Sequence, residues 1–60
     1  MEDNLNDMKE FLEGLKSKEK RCYESAKIAK DKGNSEAQFY QEGKATAYRW
    51  IAQEFEVEFL

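Results

Sequence analysis

Small and apolar residues recur at alternating steps of three and four through the first half of the chain. Leu5, Met8, Leu12, Leu15, Cys22, Ala26 and Ala29 belong to the series, and Glu19 fills its one charged position. The spacing is that of a heptad seam, so it predicts a helix over about residues 4–32 that lies against another helix. Asp3 and Asn4 are candidate N-caps for it, and Asp7 and Glu10 suit the positive end of its dipole. Phe11 widens the stripe at its edge, and Gly14 marks a soft point or a close contact.

The break follows at Asp31, Lys32, Gly33, Asn34 and Ser35. Gly33 suits the left-handed residue that ends a helix, and Lys30 and Lys32 suit the negative end of the dipole. Ser35 with Gln38 has the spacing of a capping box for a second helix over about residues 35–58. A turn at 33–34 makes the whole chain, residues 1–60, one antiparallel two-helix hairpin. Residues whose numbers sum to about 67 then face each other.

In the second helix, Ala37, Tyr40, Ala47, Tyr48, Ile51, Ala52, Phe55 and Phe59 read as the inward stripe, interrupted by Gln41 and Lys44. The register puts Tyr40 near Ala26, where a ring fills the space that alanine leaves. It puts Tyr48 near Glu19, which offers the seam's carboxylate a hydrogen bond. A second set, Phe39, Gly43, Trp50 and Val57, projects about 200 to 240 degrees round the helix from Ala37. A hairpin has no third layer to cover it, so these residues are the candidates for an intermolecular contact. From Phe55 to Leu60 the chain begins by alternating apolar residues with glutamate, a strand-like pattern; with no second strand in sight, a last turn of helix or disorder is expected there.

Size sharpens the need for a partner. A chain of sixty residues buries only about 60% of the surface its unfolded form exposes, so a lone hairpin is marginal. Charge gives such a partner an orientation. Residues 1–15 carry five acids and one base, residues 16–32 seven bases and three acids, and residues 33–60 five acids and two bases. Folding is expected to set Glu2, Asp3, Asp7, Glu10 and Glu13 beside Glu54, Glu56 and Glu58, so one end of the rod is acidic and the middle basic. Two copies can pair head to tail, acidic end over basic middle, as an antiparallel four-helix bundle, a homodimer that buries Trp50. The plainer alternative leaves these charges solvated, with pairs four apart at Lys9–Glu13, Lys20–Glu24 and Lys27–Asp31.

Chemistry is sparse. The chain has no histidine, which removes His-based general bases, Ser/His triads and histidine metal sites. Cys22 lies on the seam and reads as a buried structural thiol. Glu54 and Glu58 share a helix face but do not make a metal cage, and Gly14, Gly33 and Gly43 are too far apart for a phosphate loop. No catalytic residue, cofactor or metal is therefore expected. The longest apolar run, Trp50 to Ala52, falls far short of the ~20 residues of a membrane span. A single cysteine and the lack of a charged-then-apolar leader put the expected compartment in the cytoplasm. Lys16, Lys20, Arg21 and Lys27 are the candidate phosphate contacts, but the net charge of −3 and the acidic ends argue against nucleic-acid binding. Those acids equally suit an acidic mimic of a nucleic-acid backbone.

The segment Glu42 to Phe55, EGKATAYRWIAQEF, resembles the closing helix of small, mostly uncharacterised helical proteins of bacteriophages and related mobile elements. The likeness covers about a quarter of the chain and rests on Gly43, Ala47, Tyr48 and Ile51. It implies a protein that binds a host or defence component, and it carries over no functional residues. The expected function is thus a non-enzymatic protein-binding module, an inhibitor or adaptor that uses Phe39, Gly43, Trp50, Val57, Glu54 and Glu58. The alternatives are an assembly module that only self-associates, a nucleic-acid binder, or a nucleic-acid mimic.

Overall fold

A computed structural model describes residues 2–59, with side chains from Leu5 onward. It is an all-α hairpin: α1 spans Glu2–Asp31, α2 spans Ser35–Phe59, and α1 packs along α2. The molecule is a rod of 48 × 16 × 9 Å. Because α1 already runs from Glu2, Asp3 and Asn4 lie inside the helix rather than ahead of it. Any capping by their side chains lies outside the described residues.

The turn is closed by backbone bonds that leave few helix-end groups unpaired. Gly33 sits at φ 74°, in the left-handed region. From there its N–H donates to the Lys30 carbonyl at 3.0 Å, and the Asn34 N–H donates to the Ala29 carbonyl at 2.9 Å. The two bonds form a Schellman motif, which only a residue tolerant of positive φ can make without strain. The cap of α2 corrects the expected capping box. Asn34, not Ser35, is the N-cap: its Oδ1 accepts from the Ala37 N–H at 3.1 Å. Gln38 turns forward instead of back, and its Nε2 donates to Glu42 Oε1 at 3.3 Å. Asparagine takes the position because its short side chain reaches the first-turn N–H groups as soon as Gly33 has redirected the backbone.

The core consists of Leu12, Leu15, Cys22, Ala26 and Ala29 from α1 with Ala45 and Ala52 from α2. Half-buried Tyr48 and Phe55 pack onto Leu12, Leu15 and Ala52. Core side chains are therefore larger towards the open end and small towards the turn. Leu5, the first position of the expected seam, is exposed, and Met8 is half-buried. The far end holds instead through aromatic contacts, Phe11 to Phe55 at 5.2 Å and Phe55 to Phe59 at 5.1 Å between ring centroids. α2 is helical through Phe59, so the alternating segment forms no strand in the described residues, and Leu60 lies outside them.

The inward face of α2 differs from the expected stripe. It runs Gln38, Gln41, Ala45, Tyr48, Ala52, Phe55, a three–four series of its own. Ala45 is fully buried, whereas Tyr40 is 63% exposed and Ala47 and Ile51 also face solvent. Gln41 belongs to the seam rather than interrupting it. In this register Ala45 faces Cys22, and the unbranched, flexible Gln41 and Gln38 face Ala26 and Ala29; a rigid tyrosine ring between them would hold the helices apart and forfeit the contact along the rest of the seam. Tyr40 lies outside, under the Lys44 ammonium at 5.3 Å from its ring centroid. Tyr48 does reach the seam, but no hydrogen bond joins it to Glu19 among the described residues. Its ring meets the Lys18 ammonium instead, 5.9 Å from the centroid.

Two outcomes follow for stability at fixed chain concentration. Ala45→Leu overpacks the seam and should cost about 1–3 kcal/mol, while Tyr40→Ala should stay within about 0.5 kcal/mol. Thermal melts followed by circular dichroism distinguish them; equal losses would mean that the inward face of α2 is misassigned. Asn34→Ala should cost about 1 kcal/mol through loss of the cap, visible as a drop of several degrees in Tm.

Candidate protein-docking surface

With Ala45 and Ala52 turned inward, the opposite side of α2 is fixed by helix geometry. Trp50 lies about 140 degrees from Ala45 and about 160 degrees from Ala52 at ~100 degrees per residue. Phe39, Gly43 and Val57 share that side. Phe39 and Trp50 are each 66% exposed and Val57 is 85% exposed, while Gly43 is exposed as well. Glu54 and Glu58 border the stripe near the open end, where they line a shallow recess of about 360 Å³ with Gln53 and Val57. All six residues expected to bind a partner thus lie on the outer half of one helix. The six are exposed. Tyr40 and Ile51, displaced from the core, extend the apolar surface along one flank.

α1 shows the opposite pattern on its outer side, which carries Glu10, Glu13, Ser17, Arg21 and Glu24, with Ile28 as the isolated apolar residue. α1 is thus amphipathic in the ordinary sense. α2 has apolar residues on both its inward and outward faces. Each long apolar side chain left in water forgoes about 1.5–3 kcal/mol of available burial.

The grooves along the two sides of the hairpin are bordered by charged side chains. The larger, about 690 Å³, has Tyr23 and Ala52 in its lining and is bordered by Lys16, Lys20, Lys27 and Arg49. Glu19, Glu24 and Glu56 share it, and the Lys16 ammonium is held by Glu56 at 3.1 Å. Both partners of that ion pair are about half exposed, so it contributes at most about 1 kcal/mol. It is the one ion pair among the described residues, and it joins the two helices; none of the expected pairs four apart within α1 forms. Arg21 lines a different groove, of about 310 Å³, with Lys18, Ser25, Lys44 and Tyr48.

Hence the four candidate phosphate contacts do not form one surface. Three share a groove with three carboxylates, and the fourth lies in another. Arg49 joins the larger groove without having been singled out from the sequence; the register sum of 67 sets it opposite Lys18, which lines the other groove.

Cys22 is buried with a free thiol. Among the described residues no group of three acidic or cysteine side chains is placed to hold a metal ion, and no helix is long and apolar enough to cross a membrane. No protein-family model, curated protein or solved structure matches the chain.

The division of the cations gives a direct expectation. Duplex DNA immobilised at low salt, the condition that most favours phosphate binding, should not retain the chain. Retention that falls steeply as salt rises would contradict the reading of these grooves as solvated, mixed-charge surfaces.

Proposed function

We propose that this chain is a non-enzymatic protein-binding module, and that the outward face of α2 is the surface it presents. What carries the reading is the contrast between the two helices. Phe39, Trp50 and Val57 stand exposed on the back of a helix whose front is already packed, while the back of α1 is charged. Recognition of this kind is helix-face docking: anchors at helical spacing enter an apolar groove or pack against another helix, and the glutamates at the rim set orientation and rate. Trp50 is the central anchor, since large aromatic side chains in the middle of an interface contribute most to affinity.

The resemblance of residues 42–55 to phage helical-hairpin proteins gives this function a direction. The module would act as an inhibitor or adaptor of a host or defence protein in the cytoplasm, by occupancy rather than by chemistry. Its self-associated form would be a homodimeric four-helix bundle, in which two copies bury their α2 faces together.

The test is affinity capture from bacterial lysate with the wild-type chain and Trp50→Glu side by side, each verified by circular dichroism to be helical. We expect a protein retained by the wild type, which can be the chain itself, and lost with the variant. Identical retention by both would overturn the assignment of the surface, and retention of nothing, including a second copy, would overturn the function.

A further inference from the structure

Resting on the reading of α2 as a docking surface, we propose that the polypeptide covering it is a second copy of this chain, antiparallel to the first, with Trp50 of each copy seated over Gly43 and Ala47 of the other. Three observations carry this.

The first is area. The chain exposes 4942 Å², whereas a compact folded chain of 7.1 kDa exposes about 4,100 Å². The excess of about 800 Å² equals what one partner buries in a standard protein–protein interface. A rod of 48 × 16 × 9 Å gains that much cover by lying along another rod, and the product is a four-helix layer with the two α2 helices adjacent at its centre and the charged backs of α1 outside.

The second is charge, which selects the direction. Facing α2 to α2 keeps the α1 helices outside, so the charges at the contact are those of α2: its half near the turn, residues 35–50, carries two bases and two acids, net 0, and its open end, residues 51–60, carries three acids and no base, net −3. A parallel pair would place the two −3 ends side by side. An antiparallel pair lays each −3 end along the neutral half of its partner, where Lys44 and Arg49 lie, and the α2 dipoles also oppose favourably. An unrelated acidic protein or an anionic membrane would be repelled by the open end.

The third is shape. Gly43 is an interior helical residue, where glycine weakens the helix, and a Cβ built on it would meet nothing within 4 Å. Nothing in the chain itself requires glycine there. Antiparallel pairing centred near residue 48 makes facing residues sum to about 96, since ~1.5 Å per residue runs equally in both directions. Phe39 then meets the second copy's Val57, and Trp50 falls between Gly43 and Ala47 of that copy. The low ridge left by glycine and alanine receives the indole, and the small residue finds its reason across the interface.

Sedimentation analysis over a series of chain concentrations up to about 100 μM, because self-association depends on protomer concentration, should reach twice the chain mass for the wild type. Trp50→Glu should give the single-chain mass with an unchanged helical spectrum. Gly43→Leu is a second, independent variant: it raises helix propensity, so a lone hairpin would gain stability, yet it fills the seat and should weaken the dimer at least tenfold. Direction is read by mixing Glu36→Cys with Glu58→Cys, both in a Cys22→Ala background, and adding a short bis-maleimide. We expect the mixed crosslink to dominate over either self-crosslink.

A dimer with dominant self-crosslinks would overturn the antiparallel arrangement, and a dimer indifferent to Trp50→Glu and Gly43→Leu would place the interface elsewhere. A monomeric wild type that still captures a different protein through Trp50 would overturn the second copy while leaving the docking surface standing. A monomer that captures nothing would overturn both.

Discussion

The organising constraint is the close contact between small side chains near the turn, Cys22, Ala26 and Ala29 of α1 against the face of α2 that carries Ala45. These residues contribute little burial individually, but they fix how near and at what rotation the helices meet. Gly33 and Asn34 hold the register by terminating one helix and starting the next within four residues, and the larger side chains Leu12, Leu15, Tyr48 and Phe55 then fill the diverging end. Rotating α2 by one position would bring Tyr40 or Ile51 inward and open the seam. Because the rotation is set from inside, the outward placement of Phe39, Trp50 and Val57 is a consequence and not a separate choice.

That consequence shapes what the molecule can do. A two-helix hairpin can cover one face of each helix, and α2 has apolar residues on two. The surplus cannot be covered within the chain, and on the proposed reading another chain covers it. The side grooves carry mixed charges at their borders, and the thiol of Cys22 is enclosed in the seam. On the proposed reading, the back of α2 is the surface that binds.

Much of this was legible in the sequence. The α1 seam, the break at Gly33 and the outer set of Phe39, Gly43, Trp50 and Val57 follow from spacing alone, because α1 is strongly amphipathic and glycine has few substitutes at positive φ. The inward face of α2 was not legible in the same way. Its apolar residues go nearly all the way round, so periodicity could not choose between the stripe with Tyr40 and Ile51 and the one with Gln41 and Ala45. Reading size as a sign of burial favoured the tyrosines, when proximity of the backbones demanded alanine. The Asn34 cap was missed for a related reason: Asn34 and Ser35 are both good caps, and only the geometry of the preceding Schellman turn selects between them. The place of Arg49 was not legible either: the basic run lies on α1, and the register pairs Arg49 with Lys18, which lines the other groove.

The most direct measurement is the fluorescence of Trp50, the sole tryptophan of the chain, recorded with acrylamide quenching across a series of chain concentrations. If the back of α2 is covered in the working form of the protein, the emission should move to shorter wavelength and the quenching should fall as the concentration rises. A fully solvated emission that stays equally quenchable throughout, and is unchanged when lysate proteins are offered to a chain labelled with 5-fluorotryptophan and read by its fluorine resonance, would contradict it.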